Sequence, residues 1–184
     1  MNVLQQLLTL AGVAMGALAA SATAVATERS RWKRGQWVRW DDRRMAAYAD
    51  YGDAVKKLVH LSYRVLVAQG LPANVDPFPG EEGLQQLAAA ELERAARWEA
   101  VLLLGSADTI TAGRNWHHEA WTLQWMVRSN SQDVELFKQT YVRADNARFG
   151  FYEAARADLG VRGSLPEVKW GEHGPLNPLN RPIL

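Results

Sequence analysis

The chain has no cysteine, which removes disulfide frameworks, thiolate nucleophiles and thiolate metal sites from consideration. Proline is sparse and segregated. Three of the seven prolines fall in residues 72–79 and four after residue 160, so the stretches between them are free to be helical. Catalytic signatures are missing as well. No Glu has a His three positions on, as di-iron bundles require, and His118-Glu119 opens the string HEAWT without the second His of a metalloprotease helix. No G-x-S-x-G elbow, P-loop or G-x-G-x-x-G occurs, which excludes the usual acyl-transfer, nucleotide and dinucleotide motifs. The expectation is therefore no catalytic residue, no metal site and no cofactor.

Charge is absent from residues 1–27 and abundant immediately after them, where residues 28–44 carry seven Lys or Arg against three Asp or Glu. That junction has the form of a membrane anchor. Val3 to Ala26 would span roughly 35 Å as a helix, enough to cross a hydrocarbon core of about 30 Å. The rival reading is a cleaved signal peptide and an exported protein, for which Ala24-Val25-Ala26 offers a small-residue cleavage pattern. Against it, residues 1–10 hold no Lys or Arg to make a positive n-region, and the uncharged stretch is longer than a usual h-region. With all the basic residues on its C-terminal side, the positive-inside rule predicts a single-pass protein of the cell membrane, N-terminus outside and the domain in the cytoplasm.

The segment after the span is basic and aromatic at once, through Arg29, Arg31, Trp32, Lys33, Arg34, Trp37, Arg39 and Trp40. Beside a membrane span these side chains meet anionic lipid headgroups, with Trp in the interfacial belt. A nucleic-acid footprint would continue onto the domain. There the charge reverses, since residues 45–184 hold 14 basic and 17 acidic side chains, a sum of −3 against +4 for residues 28–44. Nucleic acid is therefore not expected as a partner. Within the span Gly12, Gly16, Ala20 and Ala24 recur every fourth residue, a smooth stripe on which a second copy could approach closely to form a dimer.

The 184 residues leave about 155 after the anchor, one domain with a sizeable core. Apolar positions alternate in steps of three and four from Met45 to Gln69 through Tyr48, Tyr51, Val55, Leu58 and Val65, with Ser62 in the same series. A second helix is expected over Glu81–Leu104 with Leu84, Leu87, Ala88, Ala95, Trp98 and Leu102 inward. A third, capped by Ser106 or Asp108, carries Ile110, His117, Trp121 and Trp125 and is interrupted only by Gly113. Ser129-Asn130-Ser131 supplies the next turn and cap. A fourth helix then runs to Leu159 with Val134, Phe137, Tyr141, Ala144, Phe151 and Ala155 inward and Gly160 at its end.

No segment has strand alternation. The predicted fold is all-α: a transmembrane helix (1–27), a juxtamembrane segment (28–44), an antiparallel four-helix bundle (45–160) and an extended Pro-rich tail (161–184). The blocks RWDDRRMAAYADYGDAVKKL, RWEAVLLLGS (97–106), AGRNWHHEAW (112–121) and FYEAARADLG (151–160), after an Ala-rich span, resemble a group of uncharacterised single-pass membrane-anchored helical proteins common in actinobacteria. The resemblance covers most of the chain apart from the tail. It implies a helical, membrane-associated protein and carries over no activity, cofactor or catalytic residue.

One cluster carries chemistry: His117, His118, Glu119, Trp121 and Trp125. As a pocket it would offer an acid and a base among aromatic walls. As plain architecture, His117, Trp121 and Trp125 would be one buried stripe at i, i+4, i+8, the commoner use of such spacing. The charged strings ELERAARWE and RNWHHE read as solvated faces with helical ion pairs. The functional expectation is a membrane-anchored interaction or scaffold protein that acts by binding an unidentified protein partner. The alternative is a small-molecule binder or enzyme using the His117–Trp125 region.

Overall fold

The structure is a computed structural model that describes residues 40–72, 75–78 and 80–166. The uncharged segment 1–27 with Gly12, Gly16, Ala20 and Ala24, the side chains Arg29, Arg31, Trp32, Lys33, Arg34, Trp37 and Arg39, and the tail beyond residue 166 lie outside the described residues. Trp40, the first described residue, is 48% exposed. Among the described residues no helix is long and apolar enough to cross a membrane. The chain divides into two compact units, Met1–Asp42 and Arg43–Leu184, and the architecture below is that of the second.

The described residues form four helices and no strand: α1 over residues 40–68, α2 over Gly80–Leu104, α3 over Ala107–Arg128 and α4 over Val134–Asp158. Their ends follow from side-chain chemistry. Ser106 caps α3 by accepting from the Thr109 N–H, and Asp133 caps α4 by accepting from the Leu136 N–H at 2.9 Å. The cap of α4 is thus Asp133, not the Ser129-Asn130-Ser131 turn expected to supply it. That turn closes α3 instead. Asn130 takes a positive φ of 50°, and the N–H groups of Asn130 and Ser131 return to the carbonyls of Val127 and Met126. Gly160, at φ 69°, closes α4 in the same way, where a residue with a Cβ would be strained.

Contacts between helix ends give the directions. Near the start of α1, Arg44 Nε donates to the Leu104 carbonyl at the end of α2, and Arg44 lies 3.7 Å from Asp158 at the end of α4. The same Asp158 accepts from the Ser106 N–H at the start of α3 and from the Tyr48 hydroxyl. At the other end Gln69 Nε2 donates to the Val127 carbonyl, and Gln132 Nε2 to the Gln69 carbonyl. Successive helices therefore run in opposite directions.

The core is aromatic and centres on α1, which buries Tyr48, Tyr51, Val55, Leu58, Ser62 and Val65 as expected, and also Ala54, Leu61, Tyr63 and Leu66. So wide a buried arc means that α1 is flanked on more than one side. Tyr51 meets Trp98, Trp116 and Phe151 at ring-centroid distances of 5.0, 6.3 and 5.3 Å. A second group, Tyr63, Phe137 and Tyr141, lies toward the opposite end of α1, with Tyr63 stacked on Phe137 at 5.0 Å. Each such pair stabilises by about 0.5–1.5 kcal/mol beyond the area it buries. Helix α3 packs along α4 and only sparingly along α2.

Helix α2 is rotated from its expected face. The buried positions are Gly83, Leu87, Ala90, Arg94 and Val101, with Leu84 and Leu102 left 45% and 37% exposed. The shift is one residue in phase, about 100° around the axis. The rotation carries Arg94 to a core position, where the charge is tolerated because α2 supplies its own counterion.

Candidate functional site

That counterion is Glu91, and Arg94, held by it, lines a cleft between α2 and α3. Arg94 is 8% exposed, and its Nε lies 3.1 Å from each Glu91 carboxylate oxygen while Nη2 reaches Oε1 at 2.8 Å. From α3, Gln124 Nε2 donates to Glu91 Oε2 at 3.2 Å, and Gln124 is itself buried. His117 Nε2 stands 3.5 Å from Glu91 Oε1, an ion-pair distance without the alignment of a hydrogen bond. Burial alone would raise the Glu91 carboxyl, but His117 and the Arg94 guanidinium more than reverse that and hold it down to about 2. The carboxylate is thus the polar link between two helices that otherwise touch little.

Above this link is a cavity of about 250 Å³, lined by Tyr51, Arg94, Trp98, Arg114, His117, His118 and Trp121. Its depth depends on Gly113. A Cβ there would lie 2.7 Å from the Trp98 ring, so only glycine lets the indole of α2 lie against the backbone of α3. The Gly113 carbonyl accepts from the Tyr51 hydroxyl at 2.8 Å, which fixes the Tyr51 ring against Trp98. Burial pushes the Tyr51 phenol well above its ordinary range, so the hydroxyl stays a neutral donor.

Of the residues singled out from the sequence, His117, His118 and Trp121 line this cavity, while Glu119 and Trp125 do not. Glu119 lies on the other flank of α3, where it accepts from Arg143 Nε of α4 at 3.0 Å. It is therefore no acid or base partner for either histidine. The buried stripe expected through His117, Trp121 and Trp125 is likewise absent, because Trp121 and Trp125 are each 48% exposed. The stripe of α3 runs instead through Thr109, Gly113, Trp116, Ala120, Leu123 and Val127. Small residues there let α3 approach its neighbours and push the two tryptophans onto its flank.

Tyr51, Arg94, Trp98 and Arg114 are the cleft residues that sequence reasoning missed, Tyr51 and Trp98 having been expected only as core. A helix phased on Leu87, Ala90 and Val101 would have placed Arg94 inside. Nothing local marks Tyr51 or Arg114. Among the described residues no three His, Asp or Glu side chains gather in a way that could hold a metal ion. Comparison of the chain with known protein families, curated proteins and solved structures finds no match.

Proposed function

We propose that this is a membrane-anchored protein that acts by binding, and that its recognition element is the α2–α3 cleft, which takes a small anion with a flat apolar body. The observation that carries this reading is the pairing of Arg114, which has no ion-pair or hydrogen-bond partner among the described residues, with the indoles of Trp98 and Trp121 around one cavity. A guanidinium offers forked donors to a carboxylate or phosphate, and indole faces accept a planar body. Arg94 supplies shape more than charge, since Glu91 already neutralises it. Binding is favoured over catalysis because the strongest acid–base candidates, Glu91 and Glu119, are each held by an arginine. Attachment to the membrane rests on the uncharged residues 1–27 followed by the basic residues 28–44.

Titration calorimetry of the full-length chain in mild detergent with indole-3-acetate tests the cleft. Binding is expected, weakened about tenfold by Arg114→Ala with the apo melting temperature unchanged, because a charge-assisted hydrogen bond contributes about 1.5–3 kcal/mol. No binding, or binding indifferent to Arg114→Ala, would remove the cleft from the proposal. The scaffold reading would then stand in its place, on the strength of Leu92 and Leu103, apolar side chains of α2 that are 73% and 83% exposed.

A further inference from the structure

On the other side of α1, against α4, two buried oxygens have no hydrogen-bond partner among the described residues: Tyr63 Oη and Asp145 Oδ2. Buried polar atoms are nearly always paired, and two orphans at one place call for a physical reason. Both residues line a single groove of about 200 Å³ whose other walls include Trp116 and Tyr141. Tyr63 is only 4% exposed, and its ring is pinned by stacking on Phe137 at 5.0 Å and by Tyr141 at 5.9 Å. The hydroxyl therefore cannot swing to solvent. Burial raises the Tyr63 phenol and also the Asp145 carboxyl, the latter despite Arg148, as expected of groups held away from water.

The charges of the groove identify what it takes. Asp145 Oδ1 is matched by Arg148 Nη2 at 2.6 Å, and Lys56 at the rim is matched by Asp53, also at 2.6 Å. His60, also on the wall, is held toward its neutral form by burial and by Arg64, so a net charge on a ligand would have no counterion here and the ligand is neutral. It must offer a donor to Asp145 Oδ2 and an acceptor to the Tyr63 hydroxyl. It must also be flat, because Trp116, Tyr63 and Tyr141 present aromatic walls.

We propose that the α1–α4 groove is a second binding site, specific for a small neutral planar molecule with an amide edge, N–H beside C=O, of the aromatic carboxamide or heterocyclic lactam class. The site is independent of the α2–α3 cleft in residues and in ligand charge.

Nicotinamide and uracil, titrated into the full-length chain and followed by saturation-transfer NMR and calorimetry, serve as probes. At least one is expected to bind, and Tyr63→Phe, which removes a single oxygen, is expected to weaken it about tenfold without lowering the apo melting temperature. Asp145→Asn should weaken the same probe, whereas Arg114→Ala should leave it unchanged and Tyr63→Phe should leave indole-3-acetate unchanged. The site is refuted if neither probe binds at concentrations up to about 10 mM, or if binding survives Tyr63→Phe. It is refuted equally if Tyr63→Phe sharply lowers the melting temperature while no probe binds, since the hydroxyl would then be serving a structural water.

Discussion

On the α2 side of the bundle a single carboxylate, Glu91, gathers Arg94, Gln124 and His117, whereas on the α4 side Tyr63 and Asp145 bury oxygen atoms that no described residue meets. Both grooves are walled by aromatic rings and are of similar size, about 250 and 200 Å³. They differ in where the unspent polarity lies. Beside α2 it is the exposed cation of Arg114 at the mouth, and beside α4 it is two buried oxygens, one neutral and one already charge-matched. Similar size and similar walls therefore do not imply similar ligands. What separates the two sites is which polar groups the protein has already satisfied for itself.

The comparison breaks first in the core behind the two grooves, where one ring packs against Tyr51 of the first and Trp116 of the second. Phe151 is fully buried and touches Tyr48, Tyr51, Trp116 and Tyr152, so Phe151→Ala should cost about 3–5 kcal/mol of stability by chemical denaturation. A loss below about 2 kcal/mol would mean that the core collapses into the space, and neither groove would then have rigid walls.

Next in size is the Glu91 link. Arg94→Ala leaves a carboxylate between two helices with its main counterion gone, and should cost about 3 kcal/mol, while Lys57→Ala, which breaks an exposed pair with Glu93, should cost less than about 0.5. Equal losses in the two variants would show the Glu91 cluster to be solvated like any surface pair.

The smallest effect is one of pH. Because the Glu91 carboxyl is held at about 2 in the fold and returns to an ordinary value of 4.5 on unfolding, the unfolded chain binds more protons between those values. The contribution is present above pH 4.5 and fades as pH falls toward 2. It should amount to about 1 kcal/mol after solvent screening of a half-buried group. Comparing acid titrations of stability for the parent chain and Glu91→Gln isolates it, and parallel curves would contradict the low carboxyl value.

Much of the fold could be read in advance because helix boundaries are local. Proline confinement, a cap at Ser106 or Asp108 and Gly160 as a stop each act within one turn of chain, and the structure uses Ser106 and Gly160 in those roles. The inward face of α1 was legible for the same reason, since its apolar series has no competitor. The faces of α2 and α3 were not. In α2 a leucine stripe one residue out of phase looked more apolar than the true one, because the true one contains Arg94. In α3 Trp121 and Trp125 drew attention from Gly113, Trp116 and Ala120, because helical spacing alone does not say which of several apolar flanks meets the neighbouring helices. Of the anticipated pocket, His117, His118 and Trp121 were found together because they share one helix flank. Tyr51 and Arg94 come from other helices, and no spacing in sequence connects them to α3.

By itself, then, the sequence determined that four helices would lie within residues 45–160, close to where they would stop, and which face of α1 would be buried, all from interactions spanning a few residues. That α1 already begins at residue 40, inside the segment read as juxtamembrane, came only from the structure. It also carries the charge boundary at residues 27–28, on which the membrane proposal rests. Only the tertiary structure decided that an arginine would lie in the core of α2, that Trp121 and Trp125 would stand half in solvent, and that Tyr63 and Asp145 would line one groove with oxygens no described residue meets. Those outcomes depend on which side chains arrive from distant parts of the chain, and burial is settled by the partner as much as by the residue.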